Sequence, residues 1–211
     1  EGTQRVTQLK KEQETLLRGL ANLEKEKQQL QANYEESQMH VKRSEGQVRG
    51  FGIQRAHGDL RDSYLGSTHC HATVARRLLE TVDVVHVGAR ALSKTEAEFI
   101  SDSWTEGLTC FPGPRTGEYD SKTLNAICDS LNEHVYISLD LDVLDPGIMP
   151  SVGTPEPGGL SWNGINQLVR KISETHNICG VDVVELSPFL GPPFASFTAA
   201  KLVYRMIGYC S

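Results

Sequence analysis

Apolar residues follow two different patterns in the two parts of this chain. In the first part, leucine recurs at every seventh position, and Glu, Gln and Lys, which favour helices, fill most of the positions between. The four leucines are Leu9, Leu16, Leu23 and Leu30. A strict seven-residue repeat predicts a coiled coil, in which polar residues at the alternate seam positions, here Gln13 and Lys27, set the register. The alternative is an amphipathic helix that packs on its own domain. We favour the coiled coil, and with it self-association into a homo-oligomer.

From about residue 48 onward, short runs rich in Val and Ile alternate with stretches of helical character. The runs at 84–87, 135–141 and 181–184 are the predicted strands, and the stretch at 51–54 before them also has extended character. The predicted helices span 72–80, 94–101, 122–132, 162–175 and about 197–207. Strands that alternate with helices indicate a parallel sheet covered by helices on both faces. We therefore expect a coiled-coil helix over residues 1–47 and an α/β domain over 48–211.

Charge and cysteine content narrow the class of protein. The chain has 21 Lys+Arg against 27 Asp+Glu, a net charge of −6, and the excess of acid lies in the second part. An acidic domain without a basic stripe argues against nucleic acid as a partner, and no apolar run is long enough to predict a membrane span. The five cysteines show no CxxC spacing, which predicts free thiols in a reducing compartment. We expect a cytoplasmic location, with a mitochondrial one as the alternative.

Two aspartates close the run at 135–141 and are the first sign of chemistry. Asp140 and Asp142 stand two positions apart, so on a strand their side chains would point the same way. Carboxylates that close repel one another unless a cation lies between them or one is protonated. The alternative is a pair of surface or capping aspartates. We predict a cation site, because a buried run leads into the pair.

Histidines and further acids accompany this pair. His57 and Asp59 also have the i, i+2 spacing, and a histidine among carboxylates suits a hard ion such as Mn²⁺ better than a thiolate-bound zinc. A histidine held in a loop is the alternative. His71 is a candidate proton shuttle or a helix-start histidine, with His69 as the weaker candidate. Glu185 follows the run at 181–184, where a carboxylate can hold a planar cation in bidentate fashion.

From about residue 48 to the C-terminus, the sequence resembles the ureohydrolase superfamily of arginases, agmatinases and formimidoylglutamases, and agmatinase-like members most closely. Five stretches carry the resemblance in the order and approximate spacing of the family. They are AHGDLRDSYLG at 56–66, HA at 71–72, SLDLDVLDP at 138–146, GTPEPGGL at 153–160 and VDVVELSP at 181–188.

The resemblance implies a three-layer α/β/α sheet and a place in polyamine metabolism. It implies hydrolysis of a guanidino C–N bond, most closely that of agmatine to putrescine and urea, by a hydroxide that bridges two Mn²⁺ ions. The residues that match metal ligands are His57, Asp59, Asp140 and Asp142. The residues that match catalytic and substrate-binding positions are His71, Asp59, Glu185 and, in the loop at 153–159 beside the substrate pocket, Thr154.

Two departures from the family pattern bear on activity. Arg55 stands where the family has an aspartate that bridges the metals, and the family's earlier Gly-Gly-x-His segment has no counterpart here, so the first strands of the sheet are expected to be missing. We therefore expect Mn²⁺ to bind weakly and at most once. Arg55 could instead lie across Asp140 and Asp142 in place of a metal. Two hypotheses follow: a manganese-dependent hydrolase, or a non-catalytic remnant that acts as a coiled-coil interaction or scaffold protein.

Overall fold

Strands and helices alternate throughout the described part of the chain. A computed structural model describes residues 50–103 and 107–210, and the predicted coiled coil lies outside them. The strands are β1 Gly50–Gln54, β2 Asp83–Ala89, β3 Leu108–Pro112, β4 His134–Asp140 and β5 Asn177–Val184. The helices are α1 Val74–Leu78, α2 Lys94–Ser103, α3 Ser121–Asp129, α4 Trp162–Thr175 and α5 Pro193–Tyr209. Short 3-10 turns lie at His71–Thr73, Leu141–Val143 and Pro188–Leu190.

The five described strands form one parallel sheet in the order β3-β2-β1-β4-β5. The chain builds outward from β1 through β2 to β3, and then returns to the other side of β1 with β4. The direction of winding therefore reverses between β1 and β4. In open parallel sheets, ligands bind outside the carboxyl ends of the strands at such a switch point. Most of the residues predicted to carry chemistry lie after β1 or from the end of β4 onward, and Glu185 directly follows β5.

Helices cover both faces of this sheet, because successive residues of the central strands alternate between two apolar clusters. Val84 of β2 packs with α1 and α2 on one face, whereas Val85 and Val87 belong to the cluster formed with α3, α4 and α5 on the other. The alternate residues Val135, Ile137 and Leu139 of β4 are fully buried in that second cluster. The predicted three-layer α/β fold is confirmed.

The structure corrects several predicted boundaries. β3 is absent from the prediction, because its five residues end in proline and occupy an outer position of the described sheet, where a strand needs no strong apolar signal. The helix predicted at 72–80 is a 3-10 turn followed by the five-residue α1. Helix α5 begins at Pro193, earlier than expected.

The cysteines and the helices give two further facts about the described residues. All five cysteines are free thiols. None of the helices within 50–103 and 107–210 combines the length and the apolar character that a bilayer crossing requires.

Candidate active site

One cleft lies at the carboxyl ends of β1 and β4, with a volume of about 670 Å³. Every residue that the sequence singles out for chemistry lines it. These residues are His57, Asp59, His71, Asp140, Asp142, Thr154 and Glu185. Segments up to 128 positions apart in the sequence thus meet at the switch point of the sheet. The alternative proton shuttle, His69, is exposed, and its ring contacts the Thr68 hydroxyl at 2.9 Å instead of lining the cleft.

Asp140 and Asp142 lie close together, but not as two residues of one strand. β4 ends at Asp140, and Asp142 belongs to the following 3-10 turn. Asp140 caps that turn, since its Oδ1 accepts the backbone N–H of Asp142 at 2.9 Å. The prediction that both side chains project from the strand is therefore wrong in its geometry. The capping alternative describes Asp140 correctly, because the turn tightens the chain as soon as the strand stops.

Asp142 is satisfied from two sides by the segment that follows β1. Its Oδ1 accepts the Ala56 N–H at 2.8 Å, and its Oδ2 accepts from His57 Nδ1 at 2.6 Å. The hydrogen bond with Asp142, working against partial burial, raises the pKa of His57. Burial opposes the charge on Asp142, but the bonds from His57 and Ala56 outweigh it and lower the pKa of Asp142. This pair is therefore a charge-assisted bridge between the β1 and β4 segments.

Arg55 faces the other two acids. It directly follows β1, its side chain is 10% exposed, and its Nη1 donates to Oδ2 of Asp59. Its Nε lies 3.5 Å from Oδ2 of Asp140 and has no hydrogen-bond partner. Burial disfavours its charge, but Asp59 and Asp140 outweigh that effect and raise the pKa of Arg55. The guanidinium therefore stays positive between two carboxylates.

The same burial acts on the acids that Arg55 contacts. Loss of solvent raises the pKa of Asp59, although Arg55 opposes the rise. Burial also raises the pKa of Asp140, again against Arg55, and the nearby Asp142 adds to the rise. Arg55 thus pairs with Asp59 and Asp140, whereas the sequence interpretation placed it across Asp140 and Asp142. The difference arises because Asp142 is already hydrogen-bonded to His57.

Two residues that support the site, His86 and Arg90, belong to no recognisable sequence motif and were not predicted. His86 of β2 is fully buried, and its Nε2 donates to the carbonyl oxygen of His57 at 3.0 Å. A lone histidine inside an apolar strand was the available signal. Arg90, just after β2, donates to five backbone carbonyls, those of residues 142, 143, 144, 156 and 157. It ties the Asp142 turn to the loop that contains Thr154.

Two of the three described non-glycine residues with positive φ line the cleft, and the third is the exposed Leu65. Asp59 and Glu185 have φ values of 51° and 68°, in the left-handed region that residues with a Cβ rarely adopt. Such conformations persist where surrounding structure imposes them, and they cluster at functional sites. Glu185 is the first residue after β5, and one of its carboxylate oxygens lies beside Gly153. The strain turns both acids into the cleft.

The outer rim of the cleft is more open. His71, Thr154 and Glu185 are all exposed. The His71 ring meets the Tyr64 ring edge-on, with centroids 5.5 Å apart. The guanidinium of Arg61 lies over the same Tyr64 ring, 4.9 Å from its centre. A solvent-facing histidine beside a buried acidic cluster is placed to exchange protons with water.

The described residues do not fit the two metal ions that the resemblance implies. Arg55 holds Asp59 and stands against Asp140, so a cation is already fixed where a metal would need both oxygens. Nδ1 of His57 is engaged by Asp142. Across residues 50–103 and 107–210, no group of three or more His, Cys, Asp or Glu side chains is arranged to hold a metal ion.

Comparisons with known proteins agree with the geometry. The Arginase family model matches residues 55–208. An N(1)-aminopropylagmatine ureohydrolase from Synechocystis is 38% identical, over 73% of this chain and 50% of the relative. An agmatinase from Pyrococcus horikoshii is also 38% identical, over 76% of this chain and 55% of the relative. The chain thus spans about half the length of the curated relatives it matches.

Solved structures show the same likeness. The agmatine ureohydrolase of Thermoplasma volcanium superimposes with a TM-score of 0.65 at 30% identity, covering 77% of this chain and 55% of that one. Arginase from Bacillus subtilis superimposes with a TM-score of 0.66 at 26% identity, covering 78% of this chain and 66% of that one.

Proposed function

The chain belongs to the arginase family, and on that premise we propose that its cleft binds the guanidino group of an agmatine-like compound. The corresponding reaction of an agmatinase-type hydrolase is cleavage of the guanidino C–N bond to release urea and an amine. One observation carries the proposal: all seven predicted side chains line a single cleft at the switch point of the sheet. Family membership and the names of the relatives support the class of substrate.

Charge favours a cationic ligand in this cleft. Asp59, Asp140 and Asp142 lie on its floor, and Glu185 faces it from the end of β5. The lining holds five carboxylates against one arginine, and a concave site with such an excess of acid attracts cations. The Glu185 carboxylate can accept two parallel N–H bonds from a planar guanidinium, a match that an ammonium group does not offer. Agmatine carries both groups, and we propose that its guanidino end enters first.

His71 is the proposed proton carrier. Hydrolysis adds water to the guanidino carbon, breaks the C–N bond and leaves an amine that must gain a proton. A histidine at the cleft rim is placed to deliver that proton, and imidazole is the side chain most often used for such transfer. Thr154, on the loop that Arg90 holds, lies on the lining where a hydroxyl can contact the bound guanidino group.

The position of Arg55 between Asp59 and Asp140 supports a second candidate function, in which the cleft binds a guanidino compound without cleaving it. The family chemistry needs an activated hydroxide, and the residues present do not fit the ions that would generate it. We therefore assign no step to a metal in this chain. The scaffold role expected from the leucine repeat rests on residues outside the described ranges.

Calorimetric titration with agmatine and with N(1)-aminopropylagmatine tests the binding proposal. We expect Glu185→Gln to weaken agmatine binding by roughly 10–100-fold, since a hydrogen bond to a charged group contributes about 1.5–3 kcal/mol. Glu174→Gln, on the exposed face of α4, is the matched control and should bind like the parent chain. Equal affinity of the parent and Glu185→Gln would contradict the assignment.

Urea release in the presence of Mn²⁺ separates the two candidate functions. We expect none from the parent chain above the background of buffer. A parent chain that turns over agmatine at an ordinary enzyme rate, on the order of 1–10³ per second, would reject the second candidate and support hydrolysis.

A further inference from the structure

The carboxylates of the cleft floor all have partners within the chain itself. Asp142 is bonded to His57 and to the Ala56 N–H. Asp59 and Asp140 both face the guanidinium of Arg55. Three buried acids thus share one permanent positive charge and one histidine. Buried carboxylates without such partners would repel each other and lose their solvation.

Arg55 directly follows β1, the central strand of the described sheet. It continues the strand ladder, because its N–H donates to the Val87 carbonyl at 3.0 Å. Gly88 allows the neighbouring strand to lie close, since a Cβ there would stand 3.2 Å from the Arg55 carbonyl oxygen. The buried Nε points at Asp140 from 3.5 Å without a hydrogen bond, so this contact is a charge contact. A guanidinium held this way can interact with both acids at once.

We propose that the Arg55 guanidinium is a fixed internal cation that pairs with Asp59 and stands against Asp140, so that it occupies the place of a divalent ion in the cleft. Arg55 therefore closes the position that a metal would need. Removing it opens a site of carboxylate and imidazole ligands suited to Mn²⁺. This inference does not rest on guanidino binding or on hydrolysis, because it concerns the unliganded chain.

The test compares Mn²⁺ binding and thermal unfolding of the full chain with those of Arg55→Asp. Binding is read from loss of the electron paramagnetic resonance signal of free Mn²⁺, and unfolding from circular dichroism with Mn²⁺ or with a chelator. Arg170→Asp is the matched control, since it makes the same change at an exposed ion pair on α4.

The parent chain and Arg170→Asp should bind no Mn²⁺ and should have the same Tm with metal and with chelator. Arg55→Asp should bind Mn²⁺ and unfold at a temperature roughly 5–10 °C higher when Mn²⁺ is at a hundred times its Kd. Tight binding of one or more equivalents by the parent chain would overturn the proposal. A folded Arg55→Asp that ignores Mn²⁺ would overturn it as well.

Arg55→Asp would place a fourth carboxylate beside Asp59, Asp140 and Asp142, and this crowding of like charges could prevent folding. Arg55→Gln provides the test in that case. Glutamine keeps a donor for Asp59 and removes only the charge, so it should take up Mn²⁺ where the parent does not. Absence of binding by this variant would refute the role of the charge. Guanidino affinity measured on the same samples reports on the proposed function separately.

Discussion

Arg55 and Arg90 follow two adjacent strands of the sheet, yet they bind partners of opposite kinds. Arg55, after β1, contacts the carboxylates of Asp59 and Asp140. Arg90, after β2, donates to backbone carbonyls of two loops. Burial lowers the pKa of Arg90 despite nearby acids, whereas the acids raise that of Arg55. Arg55 balances charge, and Arg90 joins segments.

The difference teaches how to separate electrostatic from structural support at one site. Loss of a charge-balancing residue can be compensated by removing the opposite charge, because the penalty is an unpaired ion. Loss of a residue that binds carbonyl dipoles cannot be compensated that way, since the carbonyls remain. The two arginines can therefore be distinguished by substituting each one and asking whether removal of a neighbouring carboxylate restores the lost stability.

Arg55→Met should produce the largest effect. It leaves two buried carboxylates unpaired, and breaking a buried ion pair costs about 3–5 kcal/mol in the free energy of unfolding. Urea denaturation at pH 7 measures the loss. Adding Asp59→Asn should restore part of the stability, because one of the unpaired charges is gone. The same second substitution should restore none of the stability lost in Arg90→Met, and equal recovery in both would contradict the comparison.

A smaller effect is expected from the pH dependence of His86. Burial, followed by the positive charge of Arg55, lowers the pKa of His86 to about 4. The unfolded histidine, with a pKa of about 6.5, binds a proton first as the pH falls, so its contribution to stability is lost from pH 6.5 down to 4. The loss amounts to roughly 3 kcal/mol in total.

Unfolding curves of the parent and of His86→Gln between pH 4 and 7 measure this contribution as a difference. The slope should also be shallower in Arg55→Met and unchanged in Arg90→Met, because of these two arginines it is Arg55 whose charge lowers the pKa of His86. Parallel curves for parent and His86→Gln would rule the assignment out.

The smallest effect separates the two neighbouring aspartates. Asp142→Asn removes the ionised partner of His57 and should cost about 1–3 kcal/mol in the free energy of unfolding. Asp140→Asn should cost less than about 1 kcal/mol, since burial already raises the pKa of this carboxyl and an amide removes a buried charge. Denaturation of both variants at pH 7 gives the comparison, and equal losses would show that the two acids share one environment.

Sequence pattern predicted the alternation of strands and helices and the position of acidic residues at strand ends, whereas the family resemblance pointed to His71 and Thr154. Local signals suffice for the former, because Val and Ile runs mark buried parallel strands and ligands gather at strand ends. The partner of Arg55 did not follow from spacing. Two features determine which acids Arg55 contacts: the 3-10 turn after Asp140 and the hydrogen bond between His57 and Asp142. Both depend on contacts between distant segments.

His86, Arg90 and β3 escaped prediction for related reasons. His86 and Arg90 act through backbone carbonyls, which every residue possesses and which therefore leave no mark on the sequence. β3 is short and ends in proline, so its pairing with β2 provides the evidence for it. Residue propensities and hydrophobic periodicity therefore cannot predict features that depend on hydrogen bonds between distant segments.

The left-handed backbone at Asp59 and Glu185 has a consequence for how this chain drifts by mutation. Glycine occupies that conformation without strain, while a residue with a Cβ loses on the order of 1 kcal/mol or more there. At Asp59, exchange for glycine would relieve the strain but would also remove the hydrogen-bond partner of the buried Arg55, so an ion pair opposes the exchange there. Glu185 is exposed, so the same exchange at that position should relieve the strain and raise the free energy of unfolding.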